Sequence, residues 1–377
     1  MIPIVANGHG TDAITNAKTG YGLGALSDCI SCHVIEERNG AYYLELEYPS
    51  GGNAWEHLVP GNFIRCVPSD GADETLFQVD SVKPSISGRI AAQAVHLSYR
   101  NRFAFVEPFG VSSLGNAISW INTARTSGAG AAIHLDAYNS DFDYDVRQTP
   151  FRVRRPMAVS DVMMGTRGSL VDIYGGEWGY LNCGTVARLY SSRGTARRQG
   201  VRYGKNMTSL ELEKALAETY DGVFGYYYDE QSGTYVGATA VQYGTRRYDV
   251  TADRYKVVDF TSDFDSVPTS AQLDAKALSY ARANALGEPQ VSIKVGIAPL
   301  HQTIEYADIY EIEHIQLCDT LPIVYERYGI ELTAKVVKTD YDVLTERYRS
   351  VEIGTRKVTL PDFLKGVSAK TGVSVWT

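Results

Sequence analysis

The stretch Cys29–Pro49, CISCHVIEERNGAYYLELEYP, decides the fold class. Its first five residues spell C-x-x-C-H, the pattern to which c-type haem is attached. Read with the two-residue period of a strand, Ile30, Cys32 and Val34 share one face, and Cys29, Ser31 and His33 share the other. Asn39-Gly40 follows, a two-residue hairpin signal in which both positions favour positive φ. Beyond it, Tyr42, Leu44, Leu46 and Tyr48 alternate with Tyr43, Glu45 and Glu47, and Pro49-Ser50-Gly51-Gly52 ends the run. The stretch reads as a β-hairpin with one buried face. Two cysteines on opposite faces of a strand cannot grip one haem or one metal, and no second C-x-x-C completes a zinc site. No cofactor and no metal is expected.

Further strand signals lie at 62–68, 76–82 and 89–99, short alternating runs separated by Gly, Asp, Ser or Pro. Five strands within about a hundred residues, with no helix between them, predict a small barrel or sandwich. His96 falls in such a strand and reads as a packed histidine. The texture then changes. Ser113 caps a predicted helix with Leu114, Ala117, Ile118 and Ile121 at helical spacing, and a second short helix runs from Ser169 through Tyr174 to Gly175-Gly176. Strands return at 178–181 and 185–190. Residues 106–203 therefore read as a mixed α/β unit. The run SLELEKALAE at 209–218 is ambiguous, helical in composition yet alternating at Leu210, Leu212, Lys214 and Leu216. Strands follow at 223–228, 234–243 and 255–260. The clearest helix is 268–286, opened by Pro-Thr-Ser and stopped at Gly287, with Ala277, Leu278, Ala281 and Ala285 in a stripe. Strands resume at 290–297, 320–325, 330–338 and 348–353.

Composition narrows the function. The 377 residues allow two or three domains, and 44% hydrophobic with 21% charged residues is globular. A net charge of -8 argues against duplex binding, and the basic run Arg193–Arg202 (RGTARRQGVR) reads as a local solvated loop. Tyrosine is abundant, 26 against 11 Phe, which suits half-buried strands and protein contact faces. There is no charged-then-apolar leader, no apolar run of roughly 18 residues, and an odd five cysteines, a pattern of reduced thiols in a protein folded in cytoplasm without membrane anchoring.

Catalytic patterns fail one by one. No G-x-S-x-G elbow, Walker loop or H-E-x-x-H occurs, and Gly20-Tyr-Gly-Leu-Gly24 lacks a strand–loop–helix setting. Asp136, Asp141, Asp143 and Asp145 lack the glycine and distal glutamate of an EF-hand loop. Glu36, Glu37, Glu45 and Glu47 sit on hairpin faces, with nothing to set an acid and a base around one cleft. The chain reads as a non-enzymatic structural or binding protein, with no catalytic, cofactor-binding or metal-ligating residue assigned.

Several stretches in order resemble a known family. Leu26–Gly40, ending Glu36-Glu37-Arg38-Asn39-Gly40, and Tyr43-Leu-Glu-Leu-Glu-Tyr-Pro49 are similar to the start of the tail-tip hub, the N-terminal structural part of the tail-associated lysin or prophage endopeptidase tail family of Gram-positive long-tailed phages. Leu76–Val79, Ala94–Tyr99, Gly175-Gly-Glu-Trp178, Arg202–Asn206, Ile315-Gln-Leu-Cys-Asp-Thr-Leu321 and Val351–Gly354 extend the resemblance over about residues 26–354. It departs at Cys318, where the family usually has glycine, and in its Tyr-rich middle.

The resemblance implies a β-rich α+β baseplate-hub fold with two related β-barrels and two smaller α/β units, forming a trimer. The implied layout is a first barrel at 1–105, an α/β domain at 106–203, a second barrel at 204–255 and 303–354, a helix-bearing insertion at 256–302 and a tail at 355–377. It further implies a structural virion protein at the tail tip, made in the host cytoplasm. Its implied partners are its own copies, the distal tail protein ring, the tape measure protein, tail fibre or lysin components, and DNA passing through an acidic lumen without specific binding. A related hub of a contractile tail or injection machine is the alternative; a cell-wall hydrolase ranks below both. No endopeptidase domain follows residue 354, so lytic activity is not expected.

Overall fold

A computed structural model describes residues 1–125, 133–137, 139–166, 168–197, 200–204, 206–215, 220–238, 241–242, 254–264, 266–283, 290–297, 315–326 and 330–354. It is β-rich with added helices, and the chain divides into two compact units, the first comprising 1–209, 295–322 and 335–353, the second 210–294, 323–334 and 354–377.

The first unit is built on an antiparallel ladder. Its strands are β1 (Ile4–Ala6), β2 (Gly24–Ala25), β3 (Ser31–Glu37), β4 (Tyr42–Pro49), β5 (Phe63–Cys66), β6 (Thr75–Pro84) and β7 (Arg89–His96). The hairpin pairs β3 with β4 in the register Cys32↔Leu46 and Val34↔Leu44, and the order continues through β7, β6, β5 and β1 to β2. Tyr42, Leu44, Leu46 and Tyr48 are buried while Glu45 faces out, as the alternation predicts. The other edge of β3 is taken by a strand from far along the chain, with Lys338–Asp342 pairing against His33–Glu37. Among the described residues the ladder does not close on itself.

Two local readings need correction. The hairpin turn is not a two-residue loop with positive φ at both positions. Glu37 N bonds Ala41 O, Gly40 N bonds Glu37 O, and of Asn39 and Gly40 only Asn39 takes positive φ, at 51°. The strand at 89–99 ends at His96, because the His96 ring accepts from Ser98 N and opens a 3-10 turn over Leu97–Phe103.

The same unit carries the α/β part. Helix α1 (Leu114–Ala124) is capped by Ser113 and buries Leu114, Ala117, Ile118 and Ile121. The Asn122 amide bonds both N and O of Leu135, fixing the helix against β8 (His134–Ala137). β8 runs parallel to β10 (Val186–Tyr190), and β9 (Glu177–Leu181) pairs antiparallel with β10. Ser169 caps the short helix Leu170–Tyr174, and Gly175 ends it at φ 72°.

In the second unit the central strand is β11 (Gly222–Asp229), antiparallel to β12 (Thr234–Gly237) and parallel to β13 (Tyr255–Asp259). Helix α2 (Ser270–Ala283) buries Leu273, Ala277 and Ala281 in the cluster that contains Val223 and Phe260. The ambiguous run 209–218 is strand as far as Ala215, within Met207–Ala215. Ala285, read into the helical stripe, lies outside the described residues.

Candidate functional site

The motif fragments, scattered along the sequence, meet in the first unit as one set of buried carboxylates. The β3 hairpin brings Glu36 and Asn39, β9 brings Glu177, the loop after β10 brings Arg193, Thr195 and Arg197, and the late segments bring Asp319 and Lys335. Glu36 is 4% exposed and accepts from Arg193 Nη1 at 2.9 Å. Burial pulls against the Arg193 charge, but Glu36 more than offsets it and holds the guanidinium firmly protonated. The same guanidinium donates to Trp178 O at 3.2 Å, and Arg193 N donates to Glu177 Oε2 at 2.7 Å. Lys335 Nζ bonds both Glu177 oxygens, at 2.7 and 2.8 Å, and Ser192 Oγ at 3.1 Å. Arg38 reaches Glu177 at 3.4 Å.

Asn39 completes this side. Its Nδ2 donates to Gly176 O and its Oδ1 accepts from Trp178 N, at 2.8 and 2.9 Å. The hairpin turn is therefore hydrogen-bonded along β9. A few residues on, Asp319 is 1% exposed and fully used: Thr195 N, Thr195 Oγ1, Arg197 Nε and Gln316 N all donate to it, at 2.8, 3.2, 2.7 and 2.9 Å. A buried carboxylate is tolerable only when so compensated. Each of these three acids is held by a cation and shielded from water, which makes the set a clasp.

The sequence candidates for chemistry stay apart. Glu36 faces Arg193 inside, whereas Glu37 pairs with Lys338 at 2.7 Å, so the two adjacent acids cannot serve one cleft. Asp136 is bound by Arg188 at 2.7 Å. His96 is fully buried between Thr75 Oγ1, 3.0 Å from Nε2, and Ser98, and it stacks on Tyr42 with centroids 4.1 Å apart. Burial, with the Arg193 charge adding to it, lowers its pKa to about 3, so the ring is neutral. Among the described residues no three His, Cys, Asp or Glu side chains gather to hold a metal. A shallow groove of about 650 Å3 between Phe109, Val111, Pro150, Arg152 and Arg154 has no carboxylate, histidine or cysteine in its lining.

Comparisons with known proteins bear on the fold. Residues 195–364 match the family described as Prophage endopeptidase tail. The prophage tail protein gp18 of Listeria monocytogenes EGD-e superposes with a TM-score of 0.55 at 13% identity, over 99% of this chain and 100% of that one. This chain has the fold of a prophage tail protein. The 43 kDa tail protein of prophage MuSo2 from Shewanella oneidensis gives 0.58 at 10% identity (94% and 98% covered), and a tail protein of Neisseria meningitidis MC58 gives 0.55 at 10% (96% and 98%). No curated protein matches the sequence.

Within the prophage tail fold, the fragments Glu36–Gly40, Gly175–Trp178 and Ile315–Leu321 are the clasp, which gives a physical reason for their residue types. The basic partners were not legible. Arg193 and Arg197 belong to a run that reads as a solvated loop, and Lys335 lies in an ordinary strand. The one available signal was the excess of arginine in a short run within an acidic chain. Tyrosine divides as its chemistry suggests: Tyr42 and Tyr48 are core, whereas Tyr228 and Tyr235, paired across β11 and β12, are 45% and 58% exposed.

Proposed function

We propose that the chain is a structural component of a phage or prophage tail, the hub that closes the tip of the tail tube as a homotrimer. The observation that carries this reading is the clasp: the fragments Glu36–Gly40, Gly175–Trp178 and Ile315–Leu321 tie strands together, and Glu36, Glu177 and Asp319 are each held by a cation. On this reading the protein is not an enzyme. It works at the virion tail tip, linking the distal tail protein ring, the tape measure protein and tip fibres or lysin components, while DNA passes through the lumen without specific contacts.

The layout that goes with it has a first barrel at 1–105, an α/β domain at 106–203, a second barrel at 204–255 and 303–354, an insertion at 256–302 and a tail at 355–377. The pairing of Lys338–Asp342 with His33–Glu37 then joins the two barrels edge to edge. Two barrels in each of three chains present six to a sixfold tube, a closed arrangement that leaves no open-ended contact. Exposed Tyr228 and Tyr235 supply contact area of the kind interfaces favour. A hub of a contractile tail or injection machine would use the same fold with other partners.

Single-particle electron microscopy of the purified chain tests the reading. A threefold ring with a central channel and six peripheral lobes is expected, alone or with the distal tail protein added. Monomers with a deep cleft under both conditions, together with clearing of cell walls in a turbidity assay, would replace the hub by a hydrolase.

A further inference from the structure

The groove of about 650 Å3 takes no part in the clasp. It is built on a ribbon of two short strands, Phe109–Val111 and Phe151–Val153, which run antiparallel with Gly110 opposite Arg152. Among the described residues these two strands pair only with each other. Alternation sorts their side chains: Phe151 and Val153 are buried, whereas Arg152 and, just past the strand, Arg154 are exposed. Gly110 makes room on the outer face. A Cβ there would come within 3.3 Å of Arg152 Cγ and 3.7 Å of its Nε, so the arginine stem lies across the ribbon where a side chain would otherwise stand. Ser112 lines the end of the groove and precedes the Ser113 cap, which sets the positive end of the α1 dipole beside it. Phe109 stacks on Trp120 with centroids 5.8 Å apart, and Trp120 is 47% exposed. The chain has 44 Asp and Glu against 36 Lys and Arg, yet the only charged residues lining this groove are arginines.

We propose that this groove docks an extended acidic segment of a partner protein, with carboxylates at alternate positions. Arg152 and Arg154 stand on one face of an extended run, two residues and about 6.8 Å apart. An extended peptide repeats its side chains on one face at the same interval, so carboxylates two residues apart meet successive guanidiniums. Each guanidinium has five donors in a fixed fork, enough to take a carboxylate beside a contact within the chain. Arg152, lying over Gly110, carries its charge toward the outer edge of Phe109–Val111. A peptide added at that edge as a third strand sets its acids on the Arg152 face and its alternate, apolar side chains on the side of Phe109 and Trp120. Proline, phenylalanine, valine and glycine make up most of the rest of the lining, which suits such side chains and offers nothing to read the edge of a base.

The test is fluorescence anisotropy with the full chain and a labelled, end-capped peptide of alternating Glu and Val. Binding is expected, and it should weaken as salt rises. Changing the peptide to alternating Gln and Val, or the chain to the double variant Arg152→Gln with Arg154→Gln, should each lower the affinity at least about tenfold. Arg89→Gln, which removes an exposed arginine on the hairpin ladder, should leave it unchanged. Melting temperatures near that of the parent chain show that the variants are folded. A peptide of the same composition with its glutamates in one block should bind more weakly. Equal binding of the block peptide, an equal loss in Arg89→Gln, or no binding at all would overturn the proposal. So would tighter binding of labelled oligothymidylate, which would give the groove to a phosphate polymer. Self-association of the parent that the double variant abolishes would give it to a second copy instead, and would overturn the proposal as well.

Discussion

Cys318 has φ 71°, in the left-handed region that costs a side chain about 1 kcal/mol. This is where the resembling family usually carries glycine, and the strain gives the reason. Gly194 packs against it: at φ 84°, an added Cβ would lie 2.4 Å from Cys318 O. The two positions should differ in their tolerance of substitution. Cys318→Gly relieves strain but exposes a cavity and loosens the unfolded chain, so urea denaturation should find it within about 1 kcal/mol of the parent. Gly194→Ala combines strain with a backbone clash and should cost at least about 3 kcal/mol. His96 gives a pH test. Its folded pKa of about 3 lies below the ordinary 6.5. The stabilisation from keeping it neutral is present above pH 6.5 and is lost as pH falls toward 3, by about 3 kcal/mol at pH 4. Melting temperatures between pH 7 and 4 should fall more steeply for the parent than for His96→Asn; parallel profiles would mean that the ring is protonated in the fold.

At the scale of elements, local chemistry was legible wherever one residue decides a boundary. The Tyr42–Tyr48 alternation sets the hairpin register, and Ser113 and Ser169 cap their helices as read. Helix α2 opens on a reciprocal pair: Thr269 N donates to Gln272 Oε1 at 2.8 Å, and Gln272 N to Thr269 Oγ1 at 3.3 Å. This box fixes the start two residues beyond the Pro268 that the sequence suggested. Thr269→Ala should cost about 1 kcal/mol, and Thr269→Ser close to nothing, read as melting temperature or amide exchange in the first turn. What failed were boundaries set by side chains that reach elsewhere. Asn39 takes the single left-handed position while its amide engages Gly176 and Trp178, and the His96 ring stops a strand that alternation would continue to residue 99. Composition left 209–218 undecided, and no propensity rule could have settled it.

For the whole molecule the decisive contacts are long-range, and that is why they could not be read. Arg38 and Glu177 are 139 residues apart, and Glu177 and Lys335 are 158 apart. Nothing in either neighbourhood announces the other. Glu177 is the centre of this wiring: one buried carboxylate holds the hairpin through Arg38, the loop after β10 through Arg193 N, and a late strand through Lys335. Removing it strands a lysine whose side chain is 17% exposed, with Ser192 as its other acceptor. Breaking such a pair costs about 3 kcal/mol, more than the pair contributes against an apolar replacement. Three of the four tryptophans, Trp55, Trp120 and Trp178, lie in the first unit, so their fluorescence reports on it. Glu177→Ala should move that transition to lower urea by about 1 M, and Glu177→Gln, which keeps acceptors but not charge, by less. The double variant Glu177→Ala with Lys335→Met should recover part of the loss, because the orphaned cation goes with its partner. A shift below about 0.3 M for Glu177→Ala would show that the first unit is held by its apolar clusters alone. The motif residues would then need a reason outside the fold, at a surface where a partner meets them.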